Sequence, residues 1–305
     1  RENTLGLRAV TGAGEAIRTG VRTTKGVVGY DLTRLLIGSE GTLAIITEAT
    51  LKLTPLPEAK RTLRASYQDI HAAAHAVSAI MAQPVVPCAL EFMDRACLRL
   101  VRDFAKLDLE TSVGALLMIE VDGHQAFLDH AVAAIEATAR VPGLVEIRSA
   151  ADQQEIDALW KTRKALSPAL RKAAPKKINE DVAVPVSAIP DLIEGLERLS
   201  RESGIQIVNF GHAGNGNIHV NLLLDPDQPT QAANAPDCLS AVFDLVLGLG
   251  GTLSGEHGVG LVKRDFVARE IDAGSLRLMR AIQRDFDPNA ILNPGKGLPP
   301  APKTG

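Results

Sequence analysis

The sequence lacks a long uninterrupted apolar run and a concentrated basic segment, and each absence argues against a class of protein. No stretch approaches the roughly 18 to 20 apolar residues that a transmembrane helix needs, and no charged segment followed by an apolar one opens the chain. With 33 Lys and Arg against 36 Asp and Glu, the formal net charge is -3, which argues against a nucleic-acid partner. A cytoplasmic protein that acts on small molecules is therefore expected.

Cysteine is also scarce. Cys88, Cys97 and Cys238 show no C-x-x-C spacing and lie in apolar patterns, which indicates reduced, packed thiols. No G-x-G-x-x-G motif follows a strand, so a Rossmann nicotinamide site is not indicated. The first residues, Arg1–Thr4, lead into an apolar segment without a Met or a helix cap, and we expect truncation upstream.

What is present is enough apolar sequence for more than one domain, since 46% of the 305 residues are hydrophobic. Residues 5–10 and 15–19 are predicted strands joined by a glycine-containing hairpin turn. A further strand over residues 41–53 is stopped by Pro55 and Pro57, because proline cannot continue a strand ladder. We place a domain boundary there.

From residue 61 onward, short apolar strands alternate with amphipathic helices. Neighbouring strands are joined both directly and through helices, which predicts an α+β domain with helices on one face of a mainly antiparallel sheet. Predicted strands lie near residue 63 and over residues 89–92, 115–121, 144–147, 181–184, 205–210 and 218–224. Predicted helices cover residues 69–83, 125–140, 153–172, 190–202, 239–249, 262–270 and 275–286.

Two histidine motifs carry the clearest chemistry. Gly211 to His219 reads G-H-A-G-N-G-N-I-H between two apolar strands, and a tight glycine turn would bring His212 and His219 to the same end of the sheet. Glu256, in a second glycine-rich loop, offers a third ligand for Zn, Mn or Fe. Such an open site could bind a substrate's hydroxyl and carboxylate oxygens and lower the hydroxyl pKa. His257 would then be available as a general base.

An anionic substrate also needs a cationic partner, and arginine presents a planar fork that matches a carboxylate. On the helix from Gln153, Trp160 and Lys164 share a face and Arg163 lies beside it. The residue types alone leave the cationic partner of the substrate open among Arg163, Lys164, Arg171, Lys172, Lys176 and Lys177. The glycine-bracketed turns at residues 29–31 and 38–42 could present backbone N–H groups to a phosphate.

Taken in order along the chain, several motifs resemble those of the flavoproteins related to vanillyl-alcohol oxidase. They are G-Y-D-L from Gly29, G-S-E-G-T-L from Gly38, G-H-x-G-x-G-N-x-H from Gly211, S-G-E-H-G from Ser254 and L-N-P-G-K from Leu292. The pattern is most similar to the branch that contains D-lactate dehydrogenase, D-2-hydroxyglutarate dehydrogenase and the flavin-dependent component of glycolate oxidase. The motifs span nearly the whole chain.

The resemblance implies a division of the chain. Residues 1–57 would form the second half of a two-part FAD-binding domain, and residues 58–270 a ferredoxin-like substrate or cap domain over the flavin. Residues 271–298 would return to the FAD domain, and residues 299–305 would form a disordered tail. The upstream part of the family's FAD domain, with its pyrophosphate loop, is missing from this sequence, so retention of FAD by these residues alone is in doubt.

The resemblance also implies roles for individual residues. Asn215 stands where relatives usually have Asp, which removes a charge beside the ligands. The implied cofactor contacts are Ser39, Gly41, Thr42 and Asn293. The implied metal ligands are His212, His219 and Glu256. Arg163 would bind the substrate carboxylate, Asn221 would contact the substrate, and His257 would be the base.

The expected reaction is the oxidation of a D-2-hydroxy acid to a 2-oxo acid, with FAD and a divalent metal as cofactors. A protein acceptor or a quinone would reoxidise the flavin. A homodimer or association with partner oxidase subunits is expected, the latter compatible with peripheral attachment to a membrane. Two alternatives are a catalytically silent metal- or partner-binding module and a metallohydrolase in which His212, His219 and Glu256 activate water. The choice of acid and of metal stays open.

Overall fold

The structure is a computed structural model that describes residues 1–23, 25–105 and 112–300. The chain divides into two compact units, one formed by Arg1–Leu56 with Glu256–Gly305 and the other by Pro57–Gly255. The return to the first unit thus begins at Glu256, whereas the sequence analysis placed it at residue 271. Of the tail predicted to be disordered, residues 301–305 lie outside the described residues.

The elements are numbered here in chain order. The strands are β1 Thr4–Thr11, β2 Ala16–Gly20, β3 Ala44–Leu51, β4 Ala59–Tyr67, β5 Ala89–Asp94, β6 Ala115–Gly123, β7 Leu144–Ser149, β8 Lys176–Ala183, β9 Gln206–His212 and β10 Asn217–Leu224. The helices are α1 Leu32–Leu36, α2 Ile70–Met81, α3 Arg95–Ala105, α4 Gln125–Ala139, α5 Gln153–Ala173, α6 Ile189–Ser203, α7 Pro229–Gly248, α8 Val267–Glu270 and α9 Ala273–Phe286.

The first unit contains the predicted hairpin. Strands β1 and β2 pair antiparallel, with Leu7 opposite Thr19, and β3 pairs with the other edge of β1. Leu7, Leu36 and Leu43 are buried together, so α1 closes over one face of this three-stranded sheet. The Thr33 hydroxyl donates to Thr19 Oγ1 at 2.8 Å, which ties α1 to β2.

The second unit is built on a seven-stranded antiparallel sheet with the order β7-β4-β6-β5-β9-β10-β8. Elements β4, α2, β5, β6, α4 and β7 follow the β-α-β-β-α-β sequence of a ferredoxin-like motif, with α3 inserted between β5 and β6. Elements β8, α6, β9, β10 and α7 extend the sheet beyond β5. The predicted class, an antiparallel sheet combined with helices, is confirmed.

Helices cover both faces of this sheet, where the sequence analysis expected them on one. Helices α3 and α5 pack against Met118 and Phe210 on one face. On the opposite face, the Tyr67 hydroxyl donates to the Ala139 carbonyl at the end of α4 (2.9 Å). The reason is visible in β10, whose residues are all buried. A strand buried along its whole length needs cover on both sides.

Several element boundaries differ from the predicted ones. Helix α7 begins at Pro229 and continues through Pro236, whereas the prediction began the helix after this proline. Strand β8 begins at Lys176 rather than at Asp181, and α3 was not predicted. The helix predicted over residues 262–270 is a three-ten turn followed by α8. Among the residues that the structure describes, no helix is both long and apolar enough to cross a membrane.

Candidate functional site

The β9–β10 hairpin brings the two predicted histidine ligands together. Asn217 lies opposite His212 and Phe210 lies opposite His219, which puts both imidazoles on the same face of the sheet. Their ring centroids are 5.6 Å apart in an edge-to-face arrangement. The geometry expected from the glycine turn is confirmed.

Glycine is required at two positions of this hairpin, Gly211 within β9 and Gly216 at the end of the turn. Gly216 has a φ of 72°, and a Cβ there would lie 1.9 Å from the Val184 carbonyl oxygen. A Cβ on Gly211 would lie 2.4 Å from the Asn217 carbonyl oxygen. No side chain fits such approaches without backbone movement, so the glycines fix the spacing of the two histidines.

Glu91 is a central residue of the site that the sequence analysis did not single out. It lies opposite His212 in the pairing of β5 with β9 and is 4% exposed. One carboxylate oxygen, Oε1, is 2.5 Å from His212 Nδ1, and the other, Oε2, accepts a hydrogen bond from Arg163 Nε at 2.6 Å. The available signal was an acidic residue inside the apolar segment Ala89–Asp94, since buried carboxylates are paired.

Arg163 reaches the site from α5, and its side chain is 13% exposed. Its guanidinium lies 4.7 Å from the centroid of the Phe210 ring, a cation–π distance. Within the described part of the chain, its terminal nitrogens form no hydrogen bond, so only Nε is engaged. Trp160, three residues earlier on α5, donates from Nε1 to Glu120 Oε1 at 2.9 Å. Two buried carboxylates therefore fix this part of the helix.

The other basic candidates differ in their surroundings. Lys177 is partly buried and its Nζ lies 3.5 Å from Ser167 Oγ. Burial, and then the neighbouring positive charge of Arg171, lower the pKa of Lys177. The remaining candidates, Lys164, Arg171, Lys172 and Lys176, are exposed.

Asn221 is completely buried on the same face of β10 as His219. Its amide group donates to the carbonyls of Val208 (3.1 Å) and His219 (3.0 Å). Its Oδ1 has no hydrogen-bond partner among the described residues. A buried acceptor without a donor is costly.

Asp181 orders the loop that leads to Glu256. It lies opposite His219 in β8, and its carboxylate accepts a hydrogen bond from the Ser254 hydroxyl at 3.1 Å. Its backbone carbonyl accepts from Gly255 N at 3.2 Å. Asp181 was also missed, although it is one of two adjacent acids in a strand. Its contacts fix the last residues of the second unit, and Glu256 follows by one peptide bond.

His212, His219 and Glu256 each offer one ligand atom, and these atoms all lie within 4.8 Å of one another. Two imidazoles and a carboxylate form a donor set that suits Zn, Mn or Fe. Because Glu91 engages Nδ1 of His212, Nε2 is the ring nitrogen that would bind the ion. A carboxylate behind a ligating imidazole is the usual outer partner in metal sites, so these residues fit a divalent cation.

His257 is exposed and follows Glu256 in the first unit. The loop beyond it is held by Glu40, whose carboxylate accepts hydrogen bonds from Val259 N (2.6 Å) and Gly260 N (2.7 Å). Glu40 has a φ of 53°, unusual for a residue with a side chain. Glu40 lies between two predicted cofactor contacts, Ser39 and Gly41, and was not itself predicted as a site residue.

The four predicted cofactor contacts lie together in the first unit. The Thr42 hydroxyl donates to the Ser39 carbonyl at 2.6 Å, and the Asn293 amide donates to the Glu40 carbonyl at 2.5 Å. Gly41 has a φ of 69°, and a Cβ there would lie 2.9 Å from the Asn293 amide nitrogen. Thr42 and Asn293 thus shape the loop through their own side chains.

A cavity of about 390 Å³ opens beside this loop in the first unit. Ser39 and Thr42 line it together with apolar residues that include Leu35, Leu43 and Ile282. Apolar walls with a few polar groups are typical of cofactor sites. The residues present therefore fit part of a flavin.

Asp94 ends β5 beside α3 and is fully buried. Burial raises the pKa of Asp94 to about 6, although hydrogen bonds from the backbone N–H groups of Cys97 (2.8 Å) and Asn209 (2.6 Å) favour its charged form. This carboxylate joins α3 to β9, three residues from Glu91 on β5.

The fold and the site define a class of protein. Residues 56–297 match the family described as FAD linked oxidases, C-terminal domain, and the chain belongs to this family. The family expected from the sequence motifs is thereby confirmed.

Curated relatives carry names consistent with this family. The chain is 40% identical over 296 residues to the glycolate oxidase subunit GlcD of Bacillus subtilis, covering 97% of this chain and 63% of that protein. It is 33% identical over 271 residues to GlcD of Escherichia coli K12, covering 89% of this chain and 54% of that protein. It is 31% identical over 302 residues to the mitochondrial D-lactate dehydrogenase [cytochrome] of Arabidopsis thaliana, covering 98% of this chain and 53% of that protein. The chain thus spans between 53% and 63% of the length of these relatives.

Solved structures share the fold at low sequence identity. p-Cresol methylhydroxylase with substrate bound aligns with a TM-score of 0.76 and 17% identity, over 98% of this chain and 65% of that one. The 4-ethylphenol oxidase of Gulosibacter chungangensis aligns with a TM-score of 0.71 and 18% identity, over 98% of this chain and 66% of that one. These likenesses support the vanillyl-alcohol-oxidase type of fold.

Proposed function

We propose that the protein containing this chain oxidises a D-2-hydroxy acid, of the glycolate, D-lactate or D-2-hydroxyglutarate type, to the 2-oxo acid. The observation that carries the proposal is the grouping of His212, His219 and Glu256 within 4.8 Å, with Arg163 joined to His212 through Glu91. A cation-binding group beside an arginine fork matches the hydroxyl and carboxylate oxygens of a 2-hydroxy acid. Relatives named as a glycolate oxidase component and as D-lactate dehydrogenase support this substrate class.

Arg163 would bind the substrate carboxylate. Its Nε is held by Glu91, which fixes the plane of the guanidinium and leaves the terminal nitrogens as the donors. A planar pair of N–H donors matches the two oxygens of a carboxylate. Phe210 lies against one face of the guanidinium.

The hydroxyl end of the substrate would meet His212, His219 and Glu256. A bound divalent cation would lower the pKa of the substrate hydroxyl. His257 would accept the hydroxyl proton as general base, and the buried Oδ1 of Asn221 would accept a hydrogen bond from the substrate. The proton goes to His257 and the electron pair leaves the α-carbon as hydride.

FAD, when bound, supplies the acceptor for that hydride, and Ser39, Gly41, Thr42 and Asn293 would shape its site. An electron-acceptor protein or a quinone would take the electrons onward. Association with partner oxidase subunits is supported by the word subunit in the names of the Bacillus and Escherichia relatives. A cytoplasmic protein, attached to a membrane only through such partners, fits this scheme.

The test uses the complete polypeptide, because the chain spans 63% of its Bacillus relative. Flavin absorbance is recorded first, and dye reduction is then followed with glycolate, D-lactate and D-2-hydroxyglutarate. We expect one acid to reduce the dye, and chelation followed by Zn, Mn or Fe to remove and restore the rate. No flavin after reconstitution, or no reduction by any of the three acids, would refute the proposal.

A pair of histidine variants tests the base. His257→Ala should lower kcat at least 100-fold, since general-base catalysis contributes typically 10²- to 10⁴-fold. His130→Ala is the matched control, because His130 is an exposed histidine on α4, and it should leave the rate unchanged. An unaltered rate in His257→Ala would show that another group takes the proton.

A further inference from the structure

We infer that Glu91 is a positioning residue that joins the metal-binding and carboxylate-binding halves of the site into one unit. The inference rests on the proposed function for the identity of the two ligands. Its structural basis is the bridge that one buried carboxylate forms between His212 Nδ1 and Arg163 Nε, at 2.5 Å and 2.6 Å.

Glu91 acts on the imidazole of His212. An ionised carboxylate can only accept hydrogen bonds, so the Nδ1 beside Glu91 Oε1 carries the hydrogen. The neutral ring then has its lone pair on Nε2, the nitrogen that would bind an ion. Glu91 therefore selects the tautomer that His212 needs as a ligand.

Glu91 also acts on Arg163. A carboxylate that is 4% exposed is stable only when it is paired and hydrogen-bonded. Arg163 supplies the compensating charge, and Glu91 in turn fixes the guanidinium through Nε. Loss of Glu91 would leave Arg163 partly buried without its partner and would release its orientation.

These contacts close a ring. Glu91 joins Arg163 to His212, the rings of His212 and His219 are 5.6 Å apart, His219 and Phe210 are 5.1 Å apart, and Arg163 stacks on Phe210. β5, β9, β10 and α5 each contribute to it. The metal-binding side therefore contacts the arginine side by two routes, through the hydrogen bonds of Glu91 and through the ring of Phe210.

Glu120 provides a matched control. It is an acid on the adjacent strand β6, 8% exposed, and it accepts a hydrogen bond from Trp160 Nε1 on the same helix as Arg163. Glu120→Gln removes a buried charge from the same sheet without touching His212. Glu91→Gln keeps the shape of the side chain, but its single carbonyl oxygen can accept from only one of the two donors.

The experiment titrates Co²⁺ into the complete protein and its two variants, with the visible spectrum of bound Co²⁺ as the readout. Glu91→Gln should weaken binding 10- to 100-fold, the typical effect of losing an outer partner of a metal ligand, and Glu120→Gln should change it less than 3-fold. In the metal-saturated enzyme, Glu91→Gln should raise KM for the hydroxy acid by a larger factor than it lowers kcat. Equal Co²⁺ affinity in wild type and Glu91→Gln would overturn the inference.

A metal-independent measurement separates this inference from the proposed function. In the metal-free wild type, ¹⁵N NMR of labelled histidine should show His212 protonated at Nδ1, and Glu91→Gln should redistribute the proton between the ring nitrogens. Absence of Co²⁺ binding by the wild type would refute the metal part of the proposed function while this tautomer result still decided the role of Glu91. An Nε2-protonated His212 in the wild type would overturn that role.

Discussion

Gly216 ends the turn between the strands that carry His212 and His219, and its replacement by alanine tests how strictly the backbone sets their spacing. With φ at 72°, an alanine incurs the cost of the left-handed region, about 1 kcal/mol. In addition, its Cβ would lie 1.9 Å from the Val184 carbonyl oxygen. Relief of that clash needs backbone movement at the hydrogen bonds from Val184 N to Gly216 O (3.0 Å) and from Gly216 N to Ala213 O (3.0 Å).

Each of those two hydrogen bonds contributes about 1 kcal/mol, so Gly216→Ala should destabilise the protein by about 3 kcal/mol in total. Two other glycines separate the contributions. Gly204, at the end of α6, has a φ of 68°, and a Cβ there would meet no atom within 4 Å, so Gly204→Ala should cost only about 1 kcal/mol. Gly214 has no positive φ, and its Cβ would lie 3.3 Å from Leu90 Cβ, so Gly214→Ala should cost less than about 1 kcal/mol.

Urea unfolding followed by circular dichroism measures the three free energies, and Co²⁺ titration shows whether the histidine spacing survives. We expect Gly216→Ala to lose both stability and Co²⁺ affinity, and the other two variants to keep their affinity. If Gly216→Ala and Gly204→Ala were equally stable, crowding by Val184 would have no energetic weight and the reasoning would be refuted.

Two further predictions concern buried polar groups in the second unit. Because burial raises the pKa of Asp94 to about 6, above its unfolded value of about 3.9, the stability linked to its protonation is present below about pH 4 and is lost as the pH rises through 6. As the pH rises from 4 to 7, the stability of Asp94→Asn relative to wild type should therefore increase, by at most about 3 kcal/mol. Urea unfolding of both proteins at pH 4 and pH 7 measures this difference, and a decrease would contradict the prediction. Tyr67→Phe removes the buried hydroxyl that donates to Ala139 O, and it should lower the free energy of unfolding by about 1 to 2 kcal/mol. Tyr30→Phe is the control, because the Tyr30 side chain is 97% exposed, and it should have no effect. Equal thermal midpoints for the two variants would show that the buried hydrogen bond contributes nothing.

The parts of the site that could be predicted lie within short segments of sequence. His212 and His219 belong to one hairpin, and glycines at 211 and 216 indicate its turn, because only glycine tolerates that backbone and that crowding. The strand and helix order of the second unit followed from apolar periodicity, which reports burial on a strand or helix face. Periodicity was less informative for fully buried strands such as β10, so the placement of helices on both faces of the sheet was not predicted.

Tertiary structure alone decided which distant residues complete the site. Glu91 meets His212 across 121 residues of sequence, and Glu40 meets Val259 across 219. Each contact depends on a long-range pairing, the register of β5 on β9 for Glu91 and the return of the chain to the first unit for Glu40. A one-residue slip in strand register would turn Glu91 to the opposite face. The sequence by itself therefore determined the candidate ligands and the local turns that present them, whereas packing across the chain selected the buried carboxylate that contacts His212.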